Sequence, residues 1–251
     1  MVSSTSCPGR CEYCYLSQSL GPKPYIRVYV NLKEILEKIG RKLKRTDKRL
    51  SFEASSSSDP LAVEELTGHL KRQIEFFSNQ PQGRLRVVTK FSQVDSLLSI
   101  KHNQNTRFRF SLNTEKIIKD YEHLTSSLTA RIKAAKKMQE ANYLLGFIIA
   151  PLMVYKNWER DYKNLFLKLR EGLENPDDEN LTFELIMYRY SKRAEKMIKA
   201  RFPKTKLDFE QGEHKAYGKY VYPTAKAEKL EEFIKQEIKR VFPAAKIEYF
   251  T

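Results

Sequence analysis

Residues Ser3–Val30 read SSTSCPGRCEYCYLSQSLGPKPYIRVYV and hold all three cysteines of the 251-residue chain, Cys7, Cys11 and Cys14. An odd number of thiols leaves one over in any disulfide framework, and a secreted domain of this length scatters its cysteines. Met1–Arg10 lacks the apolar centre of a signal peptide, and no stretch approaches the roughly 20 apolar residues of a membrane span. The sequence therefore reads as cytoplasmic and reduced, where bunched thiols point to metal or redox chemistry. A structural zinc site takes four ligands, yet no His or Cys follows Cys14 until His69. The C-x3-C-x2-C spacing fits three corners of a [4Fe–4S] cluster better, and it leaves one iron without a protein ligand. Open coordination is what a catalytic metal keeps. Zinc and chance stay as the alternatives on spacing alone.

The rest of the chain must supply a cradle for such a group. A hydrophobic content of 41% supports one substantial core, so residues 1–251 read as a single domain. Short β-rich runs alternate with longer helical ones. Strands are expected at Leu50–Ser56, Arg84–Phe91, Thr106–Asn113, Leu144–Leu152 and Leu181–Tyr190. Helices are expected at Asn31–Leu43, Pro60–Phe77, Gln93–Ile100, Ser127–Ala141, Asn157–Leu173, Ser191–Arg201 and, at the end, about 225–241. In the second helix Leu61, Leu66, Leu70, Ile74 and Phe77 recur at steps that make one apolar face. LLGFIIAPL (Leu144–Leu152) is nearly all apolar, as a strand covered on both faces should be. This alternation predicts an α/β fold, a partial (β/α)6-type barrel with a parallel sheet, right-handed crossovers and chemistry at the C-terminal strand ends. The serine run Ser55–Ser58 falls at a strand end. Such a barrel begins with a strand before the cysteine loop, and only Met1–Ser6 stands there, so the first strand is expected to be truncated or abbreviated.

The formal net charge is +15. A chain this basic usually meets a polyanion, although solubility alone is the plain alternative. GRLRVVTK (Gly83–Lys90), KHNQNTRFRF (Lys101–Phe110), MYRYSKRAEKMIKARFPKTK (Met187–Lys206) and EHKAYGKYVY (Glu213–Tyr222) mix Lys and Arg with aromatics. That mixture suits phosphate contacts and base stacking. No helix-turn-helix or zinc finger is visible, so backbone and lesion-shape recognition is expected in place of sequence reading. A DNA-contacting segment is expected at about 201–222.

The cysteine spacing, followed by Tyr15, resembles the radical S-adenosylmethionine (SAM) superfamily. There the open iron binds the amino and carboxylate groups of SAM, and an electron from the cluster releases a 5′-deoxyadenosyl radical. Tyr13 and Tyr15 flank Cys14, and their plain role is packing over the cluster. A narrower resemblance follows the whole chain in order: CPGRCEYCYLSQSLGPKPYIRVYVN, SFEASSSSD, GRLRVVTKF, HNQNTRFRFSLN, LGFIIAPL, LTFELIMYRYSK, RFPKTKLD, GKYVY and the terminal Val241–Pro243 and Tyr249–Thr251. Together these resemble the spore photoproduct lyase family.

The resemblance implies a partial barrel, a [4Fe–4S] cluster and SAM, acting on the methylene-bridged thymine dimer of DNA without light. It implies a reductant such as flavodoxin or ferredoxin, no membrane association, and a monomer. Cys7, Cys11 and Cys14 would bind the cluster. Tyr15, Ser58, Lys90, Ser111 and the backbone of Ala150 match SAM contacts. Lys90 also reads from the residues alone as a cation ending an apolar strand, where a solvated strand end is the alternative. Arg189 matches an arginine near the damaged base, and a surface charge is its alternative.

Two departures accompany these matches. The family's hydrogen-donating cysteine aligns with Ser56, whose O–H bond is too strong to replace a thiol. Tyr13, Tyr15 or Tyr217 could donate in its place, since a phenolic O–H bond is weaker. The family's DNA-wedging hairpin is longer, leaving Lys215, Tyr217 and Lys219 here, and its N-terminal domain has no counterpart. Three readings follow: a radical SAM DNA-repair lyase, a cluster-bearing nucleic-acid-binding relative with lost or altered substrate, and a radical SAM enzyme of small or peptide substrates. The basic aromatic runs speak against the third.

Overall fold

The computed structural model describes residues 1–16, 25–210, 212–215 and 218–251. Its short N-terminal strands are β1 (Ser4–Thr5), β2 (Arg10–Cys11) and β3 (Arg27–Val28). Next come β4 (Leu50–Glu53), β5 (Gly83–Thr89), β6 (Thr106–Leu112) and the two-residue β7 (Glu122–His123). Then follow β8 (Leu144–Leu152), β9 (Thr182–Met187), β10 (Glu213–Lys215), β11 (Lys219–Val221) and β12 (Lys246–Phe250). One six-stranded sheet runs β12-β9-β8-β6-β5-β4, and every neighbouring pair is parallel. Crossover segments connect successive strands, as parallel pairing requires, and all but the one between β5 and β6 contain an α-helix. This is the expected partial barrel.

Strand periodicity decides what faces the cavity. Successive side chains point to opposite faces of a sheet. On β6, Phe108, Phe110 and Leu112 go into the helix-covered core, while Arg109 and Ser111 turn to the concave side. On β5, Leu85 and Val87 take the core and Val88 the concave side; on β9, Phe183 and Leu185 take the core and Glu184 the concave side. One face of the sheet is therefore hydrocarbon and the other holds the polar groups. Central β8 is buried along most of its length, in keeping with its apolar run.

Several expected elements differ. Pro60–Phe77 is not one helix. A single 3-10 turn at Leu61–Val63 and a short helix at Glu64–Thr67 end at Gly68, whose φ of +58° is left-handed, and a second helix runs His69–Ser78. The Glu64 carboxylate accepts from the backbone N–H groups of Leu70 (2.6 Å) and Lys71 (3.0 Å), capping that second helix. Leu66 is 90% exposed and leaves the apolar face assigned to it. Gln93–Ile100 forms only a 3-10 turn at Asp95–Leu97, although Val94, Leu97 and Ile100 are buried. A helix at Glu115–Tyr121 was not anticipated, because its charges mask the apolar spacing; Thr114 caps it through its side chain. Strand β12 was also missed. It is an edge strand with mostly exposed residues, so it carries no apolar run.

The segment before the thiol loop is held beside the end of β4. Ser6 bridges Ser58 in parallel, the Ser6 N–H donates to the Ser57 carbonyl (2.8 Å), and the Ser55 hydroxyl donates to the Ser4 carbonyl (2.9 Å). These bonds lay residues 3–6 along the chain that leaves β4. β1 also pairs antiparallel with β3.

On the convex side, the Phe183 ring meets those of Phe147, Phe166 and Phe242, with centroids 5.5, 6.2 and 5.3 Å away. Phe183→Ala should lower the unfolding free energy by about 3–5 kcal/mol, read from the denaturant midpoint at unchanged slope.

Candidate active site

A cavity of about 380 Å³ opens on the concave side at the C-terminal strand ends. Cys7, Cys11 and Cys14 line one wall, and Ser56, Ser58, Lys90 and Ser111 line it from the ends of β4, β5 and β6. The structure thus brings together the three thiols and most of the residues expected to hold the cofactor. Ala150 is the exception. It is half-buried and does not line the cavity, to which its strand contributes Ile148.

The thiol loop folds back on itself. The Gly9 N–H donates to Cys7 Sγ at 3.3 Å, and a Cβ at Gly9 would stand 3.0 Å from Thr125 Cγ2 and 3.4 Å from Cys7 Sγ. A side chain there would push the loop off the thiol. Burial, with Asp59 nearby, pushes the Cys7 thiol up to about 12, and burial pushes Cys11 up as well. Free thiols in this loop hold their protons, so a metal must displace them to bind.

Three thiols on one wall fit a [4Fe–4S] cluster. Among the described residues no three His, Cys, Asp or Glu side chains converge as ligands of a single ion. The Ser58 hydroxyl adds a second sign of a ligand: it is buried on this cavity and has no hydrogen-bond partner.

The Lys90 side chain is held from two sides. Its ammonium donates to Ser111 Oγ (2.7 Å) and to Glu122 Oε1 (2.9 Å). Its backbone N–H and the Thr89 hydroxyl both donate to the Asp59 carboxylate at 2.8 Å, which fixes the end of β5. Burial nonetheless raises the Asp59 carboxyl to about 6. Burial also pushes Glu122 upward, but Lys90, Arg131 and Tyr13 outweigh it and hold its carboxyl below the usual range.

The far wall was not anticipated. Arg109 is 3% exposed and donates through Nη1 to both Glu184 oxygens (2.8 and 2.9 Å) and through Nη2 to Glu53. Arg86 reaches the same Glu184 (2.7 Å), and so does the Tyr249 hydroxyl (2.6 Å). Burial works against the Glu184 charge, yet Tyr249 and the two arginines hold its carboxyl below the usual range. The basic aromatic runs around Arg86 and Arg109 had suggested nucleic-acid contacts. The structure instead turns both arginines inward to ion pairs. The strict alternation in RLR (Arg84–Arg86) and in TRFRF was the signal that would have found them, since it puts the charges on one sheet face.

A second cavity of about 310 Å³ adjoins the first through Tyr15, which lines both. Tyr13, Tyr188, Arg189, Tyr190 and Lys219 are among its other walls. Tyr15 is 64% exposed, and its hydroxyl donates to the Ser56 carbonyl at 2.8 Å. Tyr13 gives its hydroxyl to Glu122. The Tyr188 hydroxyl is buried without a partner. Arg189 is exposed at the end of β9. The hairpin of β10 and β11 sets Lys215 opposite Lys219, and Tyr217 lies outside the described residues. Sequence reasoning missed Glu53, Arg109, Glu122, Glu184 and Tyr249.

Comparison with known proteins agrees along the full length. The spore photoproduct lyase family model matches residues 1–251. The chain is 46% identical to the spore photoproduct lyase of a Geobacillus species and 45% identical to that of Bacillus subtilis, covering 99% of this chain and 75% of each relative. A solved mutant of spore photoproduct lyase, with bound AdoMet and dinucleoside spore photoproduct, is similar with a TM-score of 0.93 at 44% identity. That match covers 99% of this chain and 75% of the other.

Reconstituted without oxygen, the protein should take up about four irons per chain. Cys7→Ala, Cys11→Ala and Cys14→Ala should each abolish stable uptake, as measured by iron analysis and visible absorbance. Stoichiometric zinc with no iron uptake would contradict the cluster assignment.

Proposed function

The chain belongs to the spore photoproduct lyase family, and on that premise we propose that it is a radical SAM lyase that reverses the methylene-bridged thymine dimer in DNA. The observation that carries this reading is the single cavity shared by Cys7, Cys11, Cys14, Ser58, Lys90 and Ser111. Cys7, Cys11 and Cys14 would hold the [4Fe–4S] cluster, leaving one iron for SAM. When bound, the pair supplies a 5′-deoxyadenosyl radical that takes hydrogen from C6 of the lesion and so opens the methylene bridge.

The protein's own groups bind, orient and shield. Lys90 offers a cation for the cofactor's carboxylate, and Ser58 offers an unspent hydroxyl beside it. The apolar side chains of Val88, Phe91 and Ile148 help to line the wall and limit water at the reacting centre. The neighbouring cavity takes the lesion, with Arg189 and Lys219 placed for its phosphate or base edges. Extruding a damaged step costs less than extruding a paired base. An acidic carrier such as flavodoxin or ferredoxin supplies the electron, and the protein works as a cytoplasmic monomer. No described helix is long and apolar enough to cross a membrane.

Ser56 sets the chemistry of the last step. It is exposed on the cofactor cavity, at the position aligned with the family's hydrogen-donating cysteine. A serine O–H is far stronger than a thiol S–H, so the product radical must take its hydrogen elsewhere. Tyr15 stands nearest in bonding terms, with its hydroxyl on the Ser56 carbonyl.

The test is an anaerobic assay with reconstituted cluster, SAM and a reductant on lesion-bearing DNA. Wild type should release thymines, with side products or excess SAM consumed per lesion. Ser56→Cys should raise the yield of intact thymines per SAM cleaved. If both forms cleave SAM and leave the lesion untouched, the substrate is a different one.

Binding to DNA should weaken steeply with salt. Replacing Arg189 and Lys219 together by Ala should reduce the slope of log affinity against log salt by roughly one to two units. An affinity for duplex DNA that ignores salt would contradict the DNA reading.

A further inference from the structure

The carboxylate of Glu122 lies behind the cavity wall, not on it. The residue is 3% exposed and does not line the cavity, yet two hydrogen-bond donors and a third, ion-pairing cation converge on it. Oε1 accepts from Lys90 Nζ at 2.9 Å and from the Tyr13 hydroxyl, and Oε2 stands 2.6 Å from Arg131 Nη2. We infer that Glu122 is a positioning residue: it holds the Lys90 ammonium against Ser111 at the cavity wall and thereby sets the site's grip on the carboxylate end of SAM. The inference rests on the SAM reading of the cavity.

Charge and hydrogen bonding separate the roles of the two cations. Arg131 is fully buried, and its other donors are spent on the carbonyls of Ser126 and Ser111 and on the Thr125 hydroxyl, each at 2.8 Å. It does not line the cavity, so it serves to balance Glu122. Lys90 is the cation of the trio that lines the cavity. With Glu122 balanced from behind, the Lys90 charge remains as the surplus at the wall, where an anionic ligand group gains most from it. The other nearby carboxylate, Asp59, turns toward the Lys90 backbone N–H and the Thr89 hydroxyl and leaves the ammonium alone.

Geometry explains why a tether is needed. Lysine is a point charge on a flexible stem, and ordering it costs rotamer entropy. Ser111 alone is a neutral acceptor. A buried carboxylate on the opposite side fixes the ammonium before the ligand arrives, as outer-shell carboxylates fix metal-binding histidines. Glu122 also pairs with Cys11 in the β2–β7 ladder, and the Glu12 N–H donates to the Tyr121 carbonyl at 2.9 Å. The same short ribbon therefore registers the thiol loop against the Lys90 anchor. A cofactor whose amino-acid end would meet both the cluster and Lys90 requires that register.

The test compares two ligands on the cluster-loaded protein by equilibrium binding. SAM carries the amino-acid chain, and 5′-methylthioadenosine carries the nucleoside half without it. Glu122→Gln should weaken SAM about tenfold and leave 5′-methylthioadenosine unchanged. Lys90→Ala should show the same split, and the double variant should lose little more than Lys90→Ala alone. Glu122→Gln leaves Arg131 buried with a smaller counter-charge and is at risk of not folding. Glu122→Asp then answers the question. It keeps the charge, draws the carboxylate back from Lys90, and should give the same split with a smaller loss. Equal weakening of both ligands, no weakening of SAM, or additive losses in the double variant would overturn the positioning role. Wild type that binds neither ligand would remove the SAM reading and this inference with it.

Discussion

The pair formed by Arg109 and Glu184 is the constraint on which the concave face depends. A charge on the inner face of a covered sheet is costly to desolvate, and only close pairing makes it tolerable. Arg109 is on β6 and Glu184 on β9, with β8 between them. To reach across, the guanidinium must pass over β8 at the residue that pairs with both neighbours. That residue is Gly146, in register with Arg109 on one side and Thr182 on the other. A Cβ there would stand 2.6 Å from Thr182 Oγ1 and 3.2 Å from Arg109 Cγ. One missing side chain opens the route, and the ion pair with Glu53 then extends it to β4. Strands from both halves of the sheet are tied across the cavity floor by a single arginine.

That floor explains what the charge of the chain did and did not reveal. A net charge of +15 pointed to a polyanion, and mixed basic and aromatic runs seemed to mark where it binds. Composition carries no information about which face a residue takes. In TRFRF the period of two puts both arginines on one side and both phenylalanines on the other, and the sheet buries each side for a different reason. In MYRY the same residue types stand at a strand end, where Arg189 emerges into solvent beside the second cavity. The position along the strand, more than the mixture of residues, distinguishes a structural arginine from one available to a partner.

Other parts of the fold were legible to different degrees for physical reasons. The thiol spacing was readable because metal ligation leaves little freedom in sequence. The central strands were readable because burial on both faces demands a continuous apolar run, as in LLGFIIAPL. Strand β12 was not, since an edge strand exposed on one side needs no such run. The break at Gly68 was hidden because a leucine spacing that suits one helix is nearly preserved across a left-handed turn, with Leu66 the residue that betrays it. Glu122 was hidden for a deeper reason. Its partners Tyr13, Lys90 and Arg131 are far apart in the chain, and nothing in a single sequence says that three side chains from distant segments will meet one carboxylate.

The two tyrosines beside Cys14 show how such convergence divides labour between similar residues. Both have phenolic O–H groups close to the thiol loop, and both line the second cavity. Tyr13 is committed: its hydroxyl is given to a buried, charged carboxylate, and that charge lies between it and the Lys90 anchor. Losing a hydrogen atom there would leave a phenoxyl oxygen facing a carboxylate deprived of one of its donors. Tyr15 is bound to a neutral carbonyl at the Ser56 position, is mostly exposed, and borders the cofactor cavity as well. Giving up its hydrogen leaves no buried charge short of a partner. In the proposed reaction the structural strut and the group next to the chemistry are therefore different tyrosines, and the partner of each hydroxyl, not its distance in sequence from the cluster, separates them.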